Sequence, residues 1–412
     1  MATMRLTNIL RKLLGMTQIL FSAAEMAERG LVIDARPTWN KPRCGLCHRR
    51  CTIYDTSNEP RNWRHLALGR VPIWIRYTMR RANCPVHGPT AEWVPWAAHQ
   101  SFFTLEFEEL VAYLAQCMDK TAVTHLVGIN WRTVGTIVSR VVKERLDTKR
   151  FDNLYIIGID EISYRRQHEY VTVIVDHAKH RVVWTGKGKG ADTLKQFFAE
   201  LGPERTQKLH TATLDMSAAY ISALDEVAPH VTKNFDRFHV QALACDAVDE
   251  VRRAEVRRLA GSEQAQVVKK VRFVLLKNPW NLTLREGQRL RDLQANNKTI
   301  YRAYLLKESL AKAYDYLQPW RAEKAFKEWI FWAKHSRLEP FKKLAGTIER
   351  HLEGILAYTK TRLTNGLTEG LNNKIRLITR RAFGFHSDSA LRSMIHLVCG
   401  GIPLDPPIVG AH

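Results

Sequence analysis

Tyr155-Ile156-Ile157-Gly158-Ile159-Asp160-Glu161 is an apolar run closed by two acids, and its reading decides the fold. A short run of β-branched residues is the pattern of a buried strand, and a carboxylate at its end stands at the rim of a sheet. Thr213-Leu214-Asp215-Met216-Ser217 repeats the pattern with Asp215. Asn365-Gly366-Leu367-Thr368-Glu369-Gly370-Leu371-Asn372-Asn373-Lys374 adds Glu369 in a segment of helical spacing, far down the chain. Hard cations such as Mg²⁺ take oxygen ligands, and three carboxylates from separate elements can hold two of them roughly 3.5 to 4 Å apart. Asp160, Asp215 and Glu369 are therefore the candidate ligands of a site for phosphodiester chemistry.

Working outward, residues 154–160, 170–176 and 181–185 read as consecutive strands, a helix follows at 192–201, and strands resume at 211–215 and 231–235. Three antiparallel strands, a helix, a strand, a helix and a strand is the order of an RNase H-like fold. Its first strand is central and its fourth lies beside it, which brings Asp160 and Asp215 to one edge of the layer. Glu161 is expected on the opposite face, because side chains alternate along a strand. Asp176 reads as a turn residue, and Asp236 and His239 as groups that support the site or position its substrate. Residues 240–344 are helical and highly charged, and read as an insertion. Trp320, Trp329 and Trp332 are expected in its core, with stacking of one of them on a displaced DNA base as the alternative. Gly366 and Gly370 are spaced to let the Glu369 helix approach the sheet. Asn372 and Asn373 follow as supporting groups, and Lys374, Arg376, Arg380 and Arg381 continue the helix as a basic face suited to phosphates.

The composition agrees with a polyanionic partner. The 412 residues carry a formal charge of +22, and Lys and Arg on one face release counterions from a phosphate backbone. No apolar stretch reaches the roughly 18 to 20 residues of a membrane helix, so a cytoplasmic protein is expected. The seven cysteines are odd in number and mostly crowd into the first third, which suggests metal ligands in a reducing compartment.

Those cysteines form two knuckles, Cys44-Gly45-Leu46-Cys47 and Cys84-Pro85-Val86-His87. Between them, residues 63–68 and 71–79 alternate like strands around a Gly69-Arg70 turn. Knuckles bracketing a small sheet make a zinc ribbon, in which one structural Zn²⁺ replaces a core too small to hold itself together. Cys44, Cys47, Cys84 and His87 are the expected ligands, and His48 or Cys51 is close enough to substitute. Residues 102–142 then read as three helices, with Asn130 capping the third and Val134, Ile137, Val138 and Val141 facing inward. A helix-turn-helix of this kind would present Trp131, Arg132, Thr133 and Thr136 to a major groove.

The cysteine knuckles, the helix-turn-helix, Gly158-Ile159-Asp160-Glu161, Asp215-Met216-Ser217, Asp236-Arg237-Phe238-His239 and the Glu369 segment resemble a bacterial insertion-sequence transposase of the DDE class, most closely the ISL-three family. The likeness covers nearly the whole chain. It implies that Asp160, Asp215 and Glu369 are the catalytic triad, using two Mg²⁺ (or Mn²⁺). It also implies terminal inverted repeats and target DNA as partners, and a dimer or larger assembly when two ends are brought together. The expected organisation is α+β and multidomain. An N-terminal amphipathic segment suited to self-association (1–36) precedes the zinc ribbon (37–99) and the helix-turn-helix (100–150). The catalytic domain (151–245 and 346–400) is interrupted by a helical insertion (246–345), and a tail (401–412) follows. A DNA-binding regulator without catalysis and a structure-selective nuclease are the alternatives.

Overall fold

The computed structural model describes residues 10, 14, 16–165, 169–363 and 366–406. It divides into two units, Met1–Leu146 with Ile402–His412, and Asp147–Gly401. Alternation of apolar and polar residues builds two sheets in the first unit. Strands β1 (Ile19–Ala27), β2 (Gly30–Pro37), β4 (Arg61–Leu68) and β5 (Val71–Tyr77) form one, in the order β1-β2-β5-β4. The other comprises β3 (Thr52–Thr56), β6 (Arg80–Cys84) and β7 (Gly88–Ala91). Ile75 faces Ile33 across one ladder and Trp63 across the next, so the three share a buried face, which Trp96 closes with its ring edge-on to Trp63.

The hairpin at Gly69 thus forms as its alternation predicts, yet it belongs to the larger sheet and not to the ribbon. β5 pairs in parallel with β2, and the ribbon takes β3, β6 and β7 instead. The segment expected as an amphipathic helix lies mostly outside the described residues. Leu10 and Met16 are buried in the Trp63 core, and residues 19–37 are strands.

The ribbon has almost no apolar core, for the cluster there is Cys44, Cys51, Ala82 and Cys84. Four ligand atoms converge within it: those of Cys44, Cys47, Cys84 and His87 all lie within 4.8 Å of one another. Individual separations are 3.6 Å for Cys44 Sγ to His87 Nδ1 and 3.7 Å for Cys47 Sγ to Cys84 Sγ. A tetrahedron of zinc–sulfur bonds has an edge of about 3.8 Å, so this donor set fits zinc. Neither alternative ligand joins it. Cys51 donates its thiol to the Arg49 carbonyl, and His48 stacks on Trp93.

Among the described residues of this unit, three helices follow the sheets: α1 (Leu105–Cys117), α2 (Lys120–Val127) and α3 (Trp131–Arg145). Gly128 ends α2 in the left-handed conformation, at φ 63°, and the Asn130 side chain accepts from the Thr133 N–H at 2.9 Å. Val134, Ile137, Val138 and Val141 are buried, as their spacing predicts.

The second unit holds a five-stranded sheet of β8 (Ile156–Arg165), β9 (Glu169–Asp176), β10 (Arg181–Lys187), β11 (Thr211–Leu214) and β12 (Thr232–Phe235). Its order is β10-β9-β8-β11-β12, with β8 central and β11 parallel to both neighbours. Helix α4 (Ala191–Leu201), the short α5 (Pro203–Thr206) and α6 (Ala218–Val227) connect the strands. Asp176, expected in the turn, is instead the last residue of β9, paired with Ile157 and Arg181, and its carboxylate accepts from the turn N–H groups of Ala178 and Lys179. After β12, α7 (Arg237–Arg258) runs unbroken past residue 245 into an array of helices: α8 (Glu263–Lys270), α9 (Arg272–Leu276), α10 (Leu284–Asn296), α11 (Lys298–Ala313), α12 (Pro319–Lys334), α13 (Glu339–Arg350) and α14 (Leu352–Thr361). The array and the sheet share one hydrophobic core. Of the three tryptophans expected in it, only Trp329 is buried, donating to the Leu306 carbonyl; Trp320 and Trp332 are exposed, as is the neighbouring Phe331.

Helix α15 (Gly366–Arg381) returns to the sheet, followed by α16 (Asp388–Cys399), which docks on β10. That contact buries His396, whose Nε2 lies 3.1 Å from Thr185 Oγ1. Burial, with Arg150 and Arg392 nearby, lowers its pKa to about 4. An unfolded histidine titrates near 6.5, so the unfolded chain takes up this proton first and stability is lost as pH falls from about 6.5 towards 4. His396→Gln should therefore flatten the fall of the unfolding free energy between pH 7 and pH 4.5, removing up to about 3 kcal/mol of the wild-type difference as measured by denaturant titration at the two pH values. For the ribbon, metal analysis should find about one zinc per chain, kept in Cys51→Ser and lost in Cys84→Ser.

Candidate active site and nucleic-acid interface

Asp160 sits in mid-strand, paired with Val173, and not at a strand end. β8 continues beyond it because Ile162 and Tyr164 prolong the buried alternation. Two residues earlier on the same face is Gly158, where a Cβ would stand 2.5 Å from Thr368 Oγ1 of α15. The absent side chain is what lets the helix reach the strand. Gly370, expected to provide that approach, faces open space. One helical turn beyond Thr368, the Asn372 amide donates to Asp160 Oδ2, while the Glu161 N–H donates to Oδ1 at 2.8 Å. Spacing explains this double contact: residues i and i+2 of a strand are about 6.6 Å apart, close to the rise of about 6 Å between i and i+4 of a helix.

The surroundings of Asp160 are crowded with charge. Burial raises its pKa and the Asp215 carboxylate adds to the rise; the Glu161 N–H, His239 and Asn372 oppose it. Asp215 follows β11, as expected, and one of its oxygens accepts from the Ser217 N–H at 3.0 Å. Glu161 is pushed up to about 7 by burial and by the charges of Asp215 and Asp160. The Tyr220 hydroxyl of α6, itself 3.0 Å from Thr172 Oγ1, opposes that rise, whereas Asp160 accepts from Asn372 of α15, so the two acids face different helices. His239 is raised by the Asp236 carboxylate, 3.6 Å from its Nδ1, and by the charges of Asp160 and Asp215, against its burial. Tyr220 escaped the sequence reading because a tyrosine in an amphipathic helix looks like core.

Glu369 occupies the exposed side of α15, one residue past Thr368. It lines a cavity of about 700 Å³ together with Asp236, the partner of His239. Among the described residues, the ribbon ligands are the one group of three or more His, Cys, Asp or Glu whose ligand atoms all fall within 4.8 Å of one another, so the three carboxylates stand wider than that. The structure ties Asp160 to Asp215 through their charges, and to the Glu369 helix through Asn372. Asn373 turns outward and accepts from Arg376.

The basic face of α15 is arranged as its spacing predicts. Thr368, Leu371, Asn372, Ile375 and Ile378 are buried, which leaves Lys374, Arg376 and Arg380 exposed and Arg381 half-buried. On α3, Trp131, Arg132 and Thr136 are exposed and Thr133 is half-buried. Lys120 lies 4.2 Å from the centre of the Trp131 ring. The Thr133 hydroxyl is engaged by Asn130 and that of Thr136 by the Arg132 carbonyl, which leaves Trp131 and Arg132 as the long side chains at the start of the helix. No helix among the described residues is long and apolar enough to cross a membrane.

Comparison with known proteins agrees with this arrangement. Three family models match in succession: the zinc-finger of transposase IS204/IS1001/IS1096/IS1165 at residues 40–87, the helix-turn-helix domain of transposase family ISL3 at 92–142, and the ISL3 transposase domain at 157–395. The transposase for insertion sequence element IS1557 of Mycobacterium tuberculosis is 40% identical over 395 residues, covering 90% of this chain and 88% of the relative. The transposase for insertion sequence element IS1001 of Bordetella parapertussis is 28% identical over 361 residues, covering 87% and 88%. With a ribbon, a three-helix segment and an acid-bearing sheet in the order the family prescribes, the chain belongs to the ISL3 family of insertion-sequence transposases.

Proposed function

We propose that this transposase binds the terminal inverted repeats of its insertion sequence through the ribbon and the helix-turn-helix, then cleaves and joins DNA strands at Asp160, Asp215 and Glu369. The observation that carries the reading is the Asn372–Asp160 contact, which draws the Glu369 helix onto the central strand beside Asp215. A strand order with the first strand central and the fourth parallel to it supports an RNase H-like catalytic domain with a helical insertion.

The donor set suits hard divalent cations. Two Mg²⁺ (or Mn²⁺) held by Asp160, Asp215 and Glu369 would activate water or a DNA 3′-hydroxyl and neutralise charge on the leaving oxygen. The chain's own groups do the rest. Burial and the Asp215 charge make the ionised Asp160 costly alone, so it gains from a cation, and Asn372 fixes which way its carboxylate turns. His239, whose pKa is raised by the acids around it, stands where its ring can donate to a phosphate. Lys374, Arg376 and Arg380 line the exposed face of the same helix for the strand beyond, and Trp131 and Arg132 meet the repeat. Bringing two ends together calls for two or more protomers.

Asp160→Asn should bind repeat DNA as the wild type does while losing strand cleavage in Mg²⁺ or Mn²⁺ by about a thousandfold or more, as measured on labelled repeat ends. Equal cleavage by this variant would exclude the triad. A wild type that cuts ends but never joins a pre-cut end to a plasmid would be a nuclease, and one that binds without cutting would be a regulator. Asn372→Ala should keep repeat binding and raise the Mg²⁺ concentration for half-maximal cleavage by roughly 10- to 100-fold. An unchanged requirement would remove Asn372 from the site.

A further inference from the structure

Two large aromatic side chains of the second unit are turned outward at the same place. Phe238, in the first turn of α7 and next to His239, is 63% exposed, and Trp280, in a single 3-10 turn between α9 and α10, is 74% exposed. Both line the cavity of about 700 Å³ that Glu369 and Asp236 also line. That volume is in the range of pockets that enclose small organic ligands, about 300–1,000 Å³.

The charges around the cavity exclude a phosphate as its occupant. Its walls carry three acids, Asp236, Glu308 and Glu369, against two bases, Arg237 and Lys307. Both bases are committed elsewhere. Lys307 Nζ donates to the carbonyls of Leu275 at 2.8 Å and Lys277 at 3.1 Å and pairs with Glu308 at 2.6 Å. Arg237 donates to the Ala311 carbonyl at 3.1 Å and pairs with Asp315 at 3.0 Å. An uncharged planar heterocycle meets different surroundings. Phe238 and Trp280 offer ring faces for stacking, the Gln241 amide nitrogen is shielded from solvent without a hydrogen-bond partner, and the Asn278 side chain is unused as a helix cap. Amides beside aromatic rings are how proteins hold the edge and the face of a base.

We propose that this cavity receives one unstacked nucleobase from the DNA strand processed at Glu369, an assignment that rests on the transposition reading above. A base drawn into it would fix the strand's register at the carboxylates and bend its backbone away from the duplex. The aromatic involved is Trp280, not one of the tryptophans of α12.

The test uses the full-length protein and duplexes of the repeat end, intact or with a single abasic site moved through the positions flanking the cut. Trp280→Ala and Phe238→Ala should reduce cleavage of intact ends by about 5- to 150-fold, the loss expected for one stacked base, with repeat binding unchanged. An abasic site at one position should restore most of the lost rate to Trp280→Ala, since no base then has to be extracted. Because both side chains are exposed, the variants should melt with the wild type. Undiminished cleavage by both variants, or a loss that no abasic position relieves, overturns the proposal and leaves the transposition reading intact. A wild type that cuts no end removes that reading, and this proposal with it.

Discussion

Asp160 and Asn372 are 212 residues apart in the chain, and their hydrogen bond is the constraint on which the catalytic unit depends. A helix must be pressed onto a strand with no Cβ to spare, at Gly158 against Thr368, before a carboxylate of one can approach a carboxylate of the other. Closing so long a loop adds little entropy beyond that of a shorter one, but holding it closed to within a bond length needs a rigid filling. The helices between β12 and α15 provide it. Their apolar residues belong to the same core as the sheet, so Leu306, Phe326 and Trp329 contribute to the placement of Glu369 without touching it.

The electrostatic design is divided between scales. Over the whole chain an excess of 22 positive charges draws a polyanion in, whereas Asp160 and Glu161 of β8 and Asp215 after β11 couple as a local group of acids. Under the proposed function, cations between a phosphate and these acids would offset their repulsion. On α15 the two tendencies are a few ångströms apart, with Asn372 buried against Asp160 and Lys374, Arg376 and Arg380 outside.

Much of this was legible because it is local. C-x-x-C and C-x-x-H spacing names the four zinc ligands, Asn130 after Gly128 marks the start of α3, and five apolar runs in a fixed order put β11 beside β8. What escaped depends on partners remote in sequence. Alternation within residues 63–77 announces a hairpin, but whether it joins the ribbon or β2 is decided by the unread strands at 19–37. The spacing of Gly366 and Gly370 suggests close approach, yet rotation of α15 about its axis selects Thr368 and leaves Gly370 in the open. Likewise Trp329 and Trp332, three apart on α12, differ in burial, the first donating to the Leu306 carbonyl of α11. Trp280 lies in a single turn with no period to read.

Helix α7 spans 22 residues without a break, about 33 Å at the usual helical rise, from Asp236 and His239 at one end to Arg257 and Arg258 at the other. Val240, Ala244, Val248 and Val251 clamp it along its length. A continuous helix is stiff in bending and transmits displacement as a strut does. Any tilt imposed at its far end, by DNA or by a second protomer seated on the helical array, would therefore arrive at His239 as a shift of a charge beside the acids. Contacts tens of ångströms from the reacting phosphate would then act as mechanical control over when the site is assembled.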